Sequence, residues 1–375
     1  MLSIRLFVDF NLSPLLGYFM NKQTLKLFTD LLSLPTAPYK EDAVSAFIQA
    51  FANKRGLSLK ADKYGNLIVR YTHGKDPKPV ALTAHMDHPG FEVLEANGRD
   101  LKARWLGGCD PNHFPGSRVT IIVGDEQLSG RVTSALGDGK MFEIRAQKAL
   151  SGSDGVFGYW GLKPVVIDGD LFRTKGADNL ASCAAILAVL DRLQKEKAEA
   201  DLWGVFTRAE EVGLVGAGGI VAAKTVPKKV PMIVLETSKE LPGAEIGNGP
   251  VIRVGDRMSV FDPRVEYAVH SLAQDLESKN KNFQFQRLLM SGGVCEATVY
   301  VLHGFTVGAL AFPLGNYHNQ SKRWPAAEYI SISDSDGMIT LCHAIAINPP
   351  VGETRTPMQR RFEEGFKRQE KRLLG

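Results

Sequence analysis

The chain has 375 residues, with 45 basic against 41 acidic side chains and a formal charge of +4. That length exceeds one minimal core and suits a large α/β domain with a smaller one, while 44% apolar and 23% charged residues match ordinary globular chains. No segment has the roughly eighteen consecutive apolar residues of a membrane span, and no basic run interleaved with aromatics suggests nucleic acid, so neither is an expected partner.

In chain order, the first nineteen residues are apolar, but Asp9 interrupts them and no small-residue cleavage site follows. Helical periodicity begins at Met20, so residues 1–19 are expected to be an extension preceding the natural start. From Thr24 to Lys54 apolar side chains recur at three and four, which predicts two amphipathic helices broken at Pro35–Pro38. Leu57–Tyr71, split by Tyr64-Gly65-Asn66, and the all-apolar run from Val80 predict strands. Between Phe91 and Lys175 short β-rich pieces alternate with Gly, Asp and Pro turns, the texture of a small inserted β-barrel. Helix and strand then alternate: Ala181–Gln194, Asp201–Thr207, Gly213–Lys224 and Met232–Glu236. This predicts an α/β sheet with helices on its faces. The expected units are residues 20–90 and 173–350 as one catalytic domain, 91–172 as the insertion, and 351–375 as a charged helical tail on the surface. The four cysteines, Cys109, Cys183, Cys295 and Cys342, form no CxxC pair, which argues against a disulfide framework and for the cytoplasm.

Five places put His, Asp or Glu at or beyond a predicted strand end, where open α/β sheets gather their sites. In ALTAHMDHPGF, His85 offers an imidazole nitrogen to a metal, and Asp87 is placed to accept the other ring N–H. Alone, such a His is more often a structural residue. In TKGADNLAS, Asp178 precedes a helix of small residues; it could cap that helix, as could Asn179, or bridge two metals. In FTRAEEVGLVGAGG, adjacent Glu210 and Glu211 would repel if buried unpaired, an objection that a cation removes. Glu236 in IVLETSKE and His318 in FPLGNYHNQ complete the set; singly, a salt-bridged edge Glu and a turn His would be the bland readings. Together these residues provide two open sites of mixed N/O donors, the kind in which zinc keeps a position for water.

The local sequences HMDHPGF, ADNLAS, AEEVGLVGA and GNGPVIRVGDR, with LGGCDPNHFPGSRVTI in the insertion, resemble the glutamyl and tetrahedral aminopeptidases among the co-catalytic zinc metallopeptidases, a family with members named endoglucanases. The resemblance runs from about Met20 to Pro350. It implies a three-layer zinc-exopeptidase-type sheet domain with an inserted barrel, and two divalent metal ions per chain, zinc or cobalt. By it His85 and Glu236 hold one metal, Glu211 and His318 the other, and Asp178 both, with Glu210 as general base. It further implies short peptide substrates and a homo-oligomer, such as a dodecamer. The chain departs from the family pattern at His88, where Glu is usual, at Glu236 for Asp, at Asn316-Tyr317 for Arg-Tyr, and at SGGVCEA for a Thr-Asp segment. Glu236 leans towards carboxypeptidase or deacylase chemistry, whereas the barrel's position favours an aminopeptidase. Glu236 or Glu296 is the expected acidic partner of a substrate ammonium, and the loops at Gly292-Gly293 and Asn316 are expected contacts. A non-catalytic assembly protein is the alternative of another class. A glycosidase on Glu210 and Glu211 conflicts with the ~5–9.5 Å by which such carboxylates flank their bond.

Overall fold

The computed structural model describes residues 20–137, 140–350 and 357–374. The amino-terminal extension, residues 1–19, therefore lies outside the described residues. Helices α1 (Lys22–Leu32) and α2 (Asp42–Arg55) form where the apolar spacing predicts them. The second ends at Gly56, whose φ of 64° lets its N–H return to the Ala52 and Asn53 carbonyls.

Strands β1 (Ser58–Ala61), β2 (Leu67–His73) and β3 (Pro79–His85) begin the main sheet. The chain then leaves it for β4 (Gly90–Leu106), β5 (Arg118–Val123), β6 (Glu126–Leu136), β7 (Met141–Leu150) and β8 (Phe157–Trp160), which close into a barrel in the order β4-β7-β6-β5-β8. Its interior is aromatic: Trp105 lies 4.4 Å from Trp160 between ring centroids, beside Phe91, Phe114 and Phe142. The segment PVVIDGDLF, grouped with the insertion on sequence, pairs elsewhere. It forms β9 (Val165–Asp168) and β10 (Leu171–Thr174), and β10 runs antiparallel to β16 (Glu328–Ser331) in a separate three-stranded sheet.

The chain returns through α3 (Leu180–Glu196), β11 (Ala200–Thr207), α4 (Val215–Ala223), β12 (Met232–Lys239), β13 (Val251–Gly255), α5 (Pro263–Lys279), β14 (Gln286–Leu289), α6 (Glu296–Leu302) and β15 (Val307–Leu314). After β16 come α7 (Ile332–Ile347) and α8 (Pro357–Leu374). The main sheet has eight strands in the order β1-β2-β11-β3-β12-β15-β13-β14. Its centre, β11-β3-β12-β15, is parallel. Because strand side chains alternate, Leu82, Phe206, Ile233 and Leu310 pack with α1, α3 and α7 on one face. Ala81, Val205, Val234 and Ala309 pack with α4 and α6 on the other. The result is the expected α/β class: three layers plus a barrel. The tail forms its helix, but Phe362 and Phe366 stay exposed rather than packed.

Candidate active site

Because the four central strands run parallel, their carboxyl ends open at one edge of the sheet. His85 ends β3, Glu210 and Glu211 follow β11, Glu236 lies near the end of β12, and His318 follows β15. Asp178 enters from the loop between β10 and α3. The five expected metal-binding residues and Glu210 thus converge from five segments distant in sequence.

Asp178 sits between the two imidazoles. Its Oδ1 is 3.4 Å from His85 Nε2 and its Oδ2 is 3.7 Å from His318 Nε2. Glu211 Oε1 is 3.2 Å from His318 Nε2, while Glu210 Oε2 and Glu236 Oε2 each lie 3.8 Å from His85 Nε2. Donor atoms of His85, Asp178 and Glu211 fall within 4.8 Å of one another, as do those of His85, Glu210 and Glu236. Glu210 therefore approaches as closely as the residues expected to bind metal. The helix-cap alternative is not what these side chains do: Asn179 makes no cap bond, and its amide instead donates to the Leu235 carbonyl at 2.8 Å.

His85 Nδ1 has its hydrogen bond with the Asp87 backbone carbonyl at 3.2 Å, and the Asp87 carboxylate lies beside it. Its Oδ1 lies 3.4 Å from His85 Nδ1. The two carboxylate oxygens also accept the backbone N–H groups of Glu210 and Glu211, at 2.9 and 3.1 Å. One residue earlier Ala209 adopts a φ of 51°, and its N–H donates to Glu41 Oε1 at 3.0 Å while Arg208 Nε donates to Glu41 Oε2 at 2.8 Å. Two buried carboxylates thus hold the bend that carries the Glu pair. His318 is covered by the barrel: its Nδ1 occupies the space that any side chain at Gly108 would need.

Electrostatically the site is overloaded with anions. Burial, against the opposing pull of His85 and with repulsion from Glu211, Glu236 and Asp87, holds Glu210 well above the usual carboxylate range. Burial and Asp178 push Glu236 up to about 8. Burial opposes charge on both imidazoles, but Glu210 with Asp178 at His85, and Glu211 with Asp178 at His318, keep them well above their ordinary value. Burial would also raise Asp178, yet the imidazoles of His318 and His85 beside it leave it lowered. Asp178 Oδ1, Glu211 Oε1 and Glu236 Oε1 are buried without a hydrogen bond. Buried acceptors in that state are costly, and divalent cations would satisfy them, so the donor set fits such ions.

The cluster opens into a cavity of about 130 Å³, walled by Ser238, Arg253, Met290, Gly292, Gly293 and Tyr317. The glycine loop is where sequence expected it. The loop at Asn316 reaches the cavity through Tyr317 and His318, while the Asn316 amide itself donates to the Ala327 carbonyl at 2.8 Å. Glu296 cannot meet a substrate ammonium, because it is fully buried on α6 and absent from the wall. Sequence reasoning did not single out Arg253, which is buried with Nε unpartnered while Nη1 donates to Ser238 Oγ at 3.3 Å. It also passed over Glu41 and Glu328; the first sits in the charged run Lys40-Glu41-Asp42 and the second between Ala327 and Tyr329, both ordinary surface patterns. A larger hollow of about 550 Å³, beside Lys60, Arg70 and Trp203, contains none of these residues.

Fold and site together define a three-layer α/β protein with an inserted barrel and a buried His–carboxylate cluster at the strand ends. The chain belongs to the M42 glutamyl aminopeptidase family, whose profile matches residues 65–149 and 148–334. A protein of Acetivibrio thermocellus bearing an aminopeptidase name is 28% identical over 304 residues, 76% of this chain and 86% of that one. The TET aminopeptidase structure from Thaumarchaeota archaeon SCGC AB-539-E09 superposes with a TM-score of 0.75 at 18% identity, over 87% of this chain and 97% of that one. The Pyrococcus horikoshii TET1 peptidase gives 0.71 at 20% identity, over 86% and 99%, and is described as assembling into a tetrahedron or a large octahedral shell. The protein is accordingly a peptide hydrolase of an aminopeptidase family, and the non-catalytic alternative falls away.

Proposed function

We propose that the chain removes N-terminal residues from short peptides, with two divalent cations, zinc first among them, held between His85 and Glu236 on one side and Glu211 and His318 on the other. The observation that carries this reading is Asp178, whose two oxygens face the two imidazoles separately. Bound cations would supply Lewis acidity for the scissile carbonyl and its attacking water. Glu210, beside His85 and facing the cavity, takes the proton from that water as it adds to the carbonyl carbon. It then gives the proton to the leaving amine as the C–N bond breaks. Glu236 on the cavity wall is the carboxylate for the substrate's ammonium.

The family name carries a glutamyl preference, and the buried guanidinium of Arg253, whose Nε has no hydrogen-bond partner, fits a carboxylate side chain at the first residue. A carboxypeptidase or deacylase reading rests on Glu236 in place of Asp, a substitution that keeps the charge. We further infer self-association, because the P. horikoshii relative forms closed shells; a dodecamer is the expected form. A cytoplasmic location belongs to the same reading and is supported by four unpaired cysteines. Among the described residues no helix is long and apolar enough to cross a membrane.

Zinc added to chelator-treated protein should bind at about two ions per chain and restore peptide hydrolysis that the chelator abolished. Only a trace of bound metal after zinc incubation, with hydrolysis intact, would refute the metal-dependent reading.

A further inference from the structure

Glu328, wholly buried at the start of β16, spends its carboxylate on backbone amides of two separate loops. Its Oε2 accepts the N–H of Ala177 at 2.7 Å and of Asp178 at 3.1 Å, and its Oε1 accepts that of His318 at 2.8 Å. Neither loop supplies its own acceptor in the regular way. Ala177 and Asp178 lead into α3, a region where N–H groups lack preceding carbonyls, and His318 has a left-handed φ of 53°. A second tie joins the same loops, since His88 Nδ1 donates to the Asp178 carbonyl and its Nε2 lies 3.1 Å from Asn319 Oδ1. The antiparallel pairing of Thr174 with Glu328 places the carboxylate beneath the Asp178 loop.

We propose that Glu328 is a positioning residue that fixes the separation of Asp178 and His318, and with it the cation position shared by Asp178, Glu211 and His318. The proposal rests on the metal reading above. Three N–H donors converge on two carboxylate oxygens, so no isosteric neutral side chain serves. Glutamine keeps one acceptor oxygen and turns an NH₂ group against an amide that also donates. The consequence is uneven, because His318 serves one proposed cation position only while Asp178 faces both, and Glu328 does not touch the side chains of His85 or Glu236.

Glu328→Gln tests this in two ways. In metal-free protein the amides of Ala177, Asp178 and His318 should exchange with solvent about tenfold faster than in the parent chain, while the β3 and β12 amides are unchanged. In zinc calorimetry the parent should show two binding events, and the variant should lose about tenfold or more in one of them and less in the other. Turnover should return to the parent's kcat once zinc saturates both. Unchanged exchange and two unchanged affinities would overturn the proposal, as would a fall in kcat that persists with both ions bound. If Glu328→Gln does not fold, His88→Phe removes the second tie while keeping a ring, and should weaken the same event most; two unchanged affinities in a folded His88→Phe would equally overturn it. Failure of the parent to bind zinc would instead refute the metal reading, and amide exchange would still decide whether the clamp exists.

Discussion

Replacing Asp87 with alanine removes one carboxylate from a fully buried position and leaves three groups to be accounted for. The N–H groups of Glu210 and Glu211 lose their acceptors, and His85 Nδ1 loses a carboxylate 3.4 Å away. Hydrogen bonds to a charged acceptor contribute about 1.5–3 kcal/mol each, so the two amide bonds alone predict a loss of about 3–6 kcal/mol. Asp87→Asn keeps one oxygen and should lose roughly half of that. Urea unfolding followed by tryptophan fluorescence measures both, with chelator present so that bound ions do not add stability. Because the same amides carry Glu210 and Glu211, turnover with zinc restored should fall in the same order, parent above Asn above Ala. A folded Asp87→Ala losing less than about 1 kcal/mol, the ordinary size of a point substitution, would show that these bonds do not hold the bend.

Glu210→Gln should bind zinc as the parent does and lose about 10²–10⁴-fold in kcat, the range for removing a proton carrier; metal loss by elemental analysis would instead make Glu210 a ligand. Arg253→Met should lower kcat/KM for N-terminal Glu and Asp substrates by about tenfold or more while leaving Leu substrates within about twofold, since a charge-assisted pair is worth more than 1.4 kcal/mol; equal losses on both would assign Arg253 a structural role. Lys175 is buried, and although Glu328 acts in its favour, burial dominates and lowers it to about 7 from the ordinary 10.5. Between those values the unfolded chain binds more protons than the folded one, so this group makes stability rise with pH, by up to about 1.4 kcal/mol per unit. Lys175→Met should remove that slope, and parallel urea-stability curves for parent and variant from pH 8 to 10 would contradict the assignment.

Much of the fold was legible because it is local. The mostly apolar run at Val80–Ala84 reads as a buried strand, the repeat at Leu25, Phe28 and Leu32 as an amphipathic helix, and the turn-punctuated pieces after Phe91 as a small barrel. The candidate site was legible for a related reason: parallel strands end at one edge, so acids and histidines placed just beyond them meet. What escaped depends on long-range partners. Residues Val165–Thr174 read as more of the insertion because nothing local announces pairing with β16 across more than 150 positions. Glu41 and Glu328 escaped because an acid that accepts backbone amides is recognisable only once it is known which amides lack carbonyls. Glu296, weighed with Glu236 for the substrate ammonium, lies fully buried at the start of α6 and outside the cavity wall, a placement set by how α6 packs and not by the local sequence.

Recognition of a free amino end by Glu236, next to a water activated beside Glu210, requires the substrate's ammonium to be intact. Pairs of short peptides, identical except for N-acetylation or C-terminal amidation, incubated with the zinc-loaded enzyme and read by mass spectrometry, test this directly. Free-amine peptides should be shortened from the N-terminus whether or not the far end is amidated, and their acetylated partners should survive. Cleavage that persists on acetylated peptides and stops on amidated ones would contradict the aminopeptidase reading and make this a carboxypeptidase.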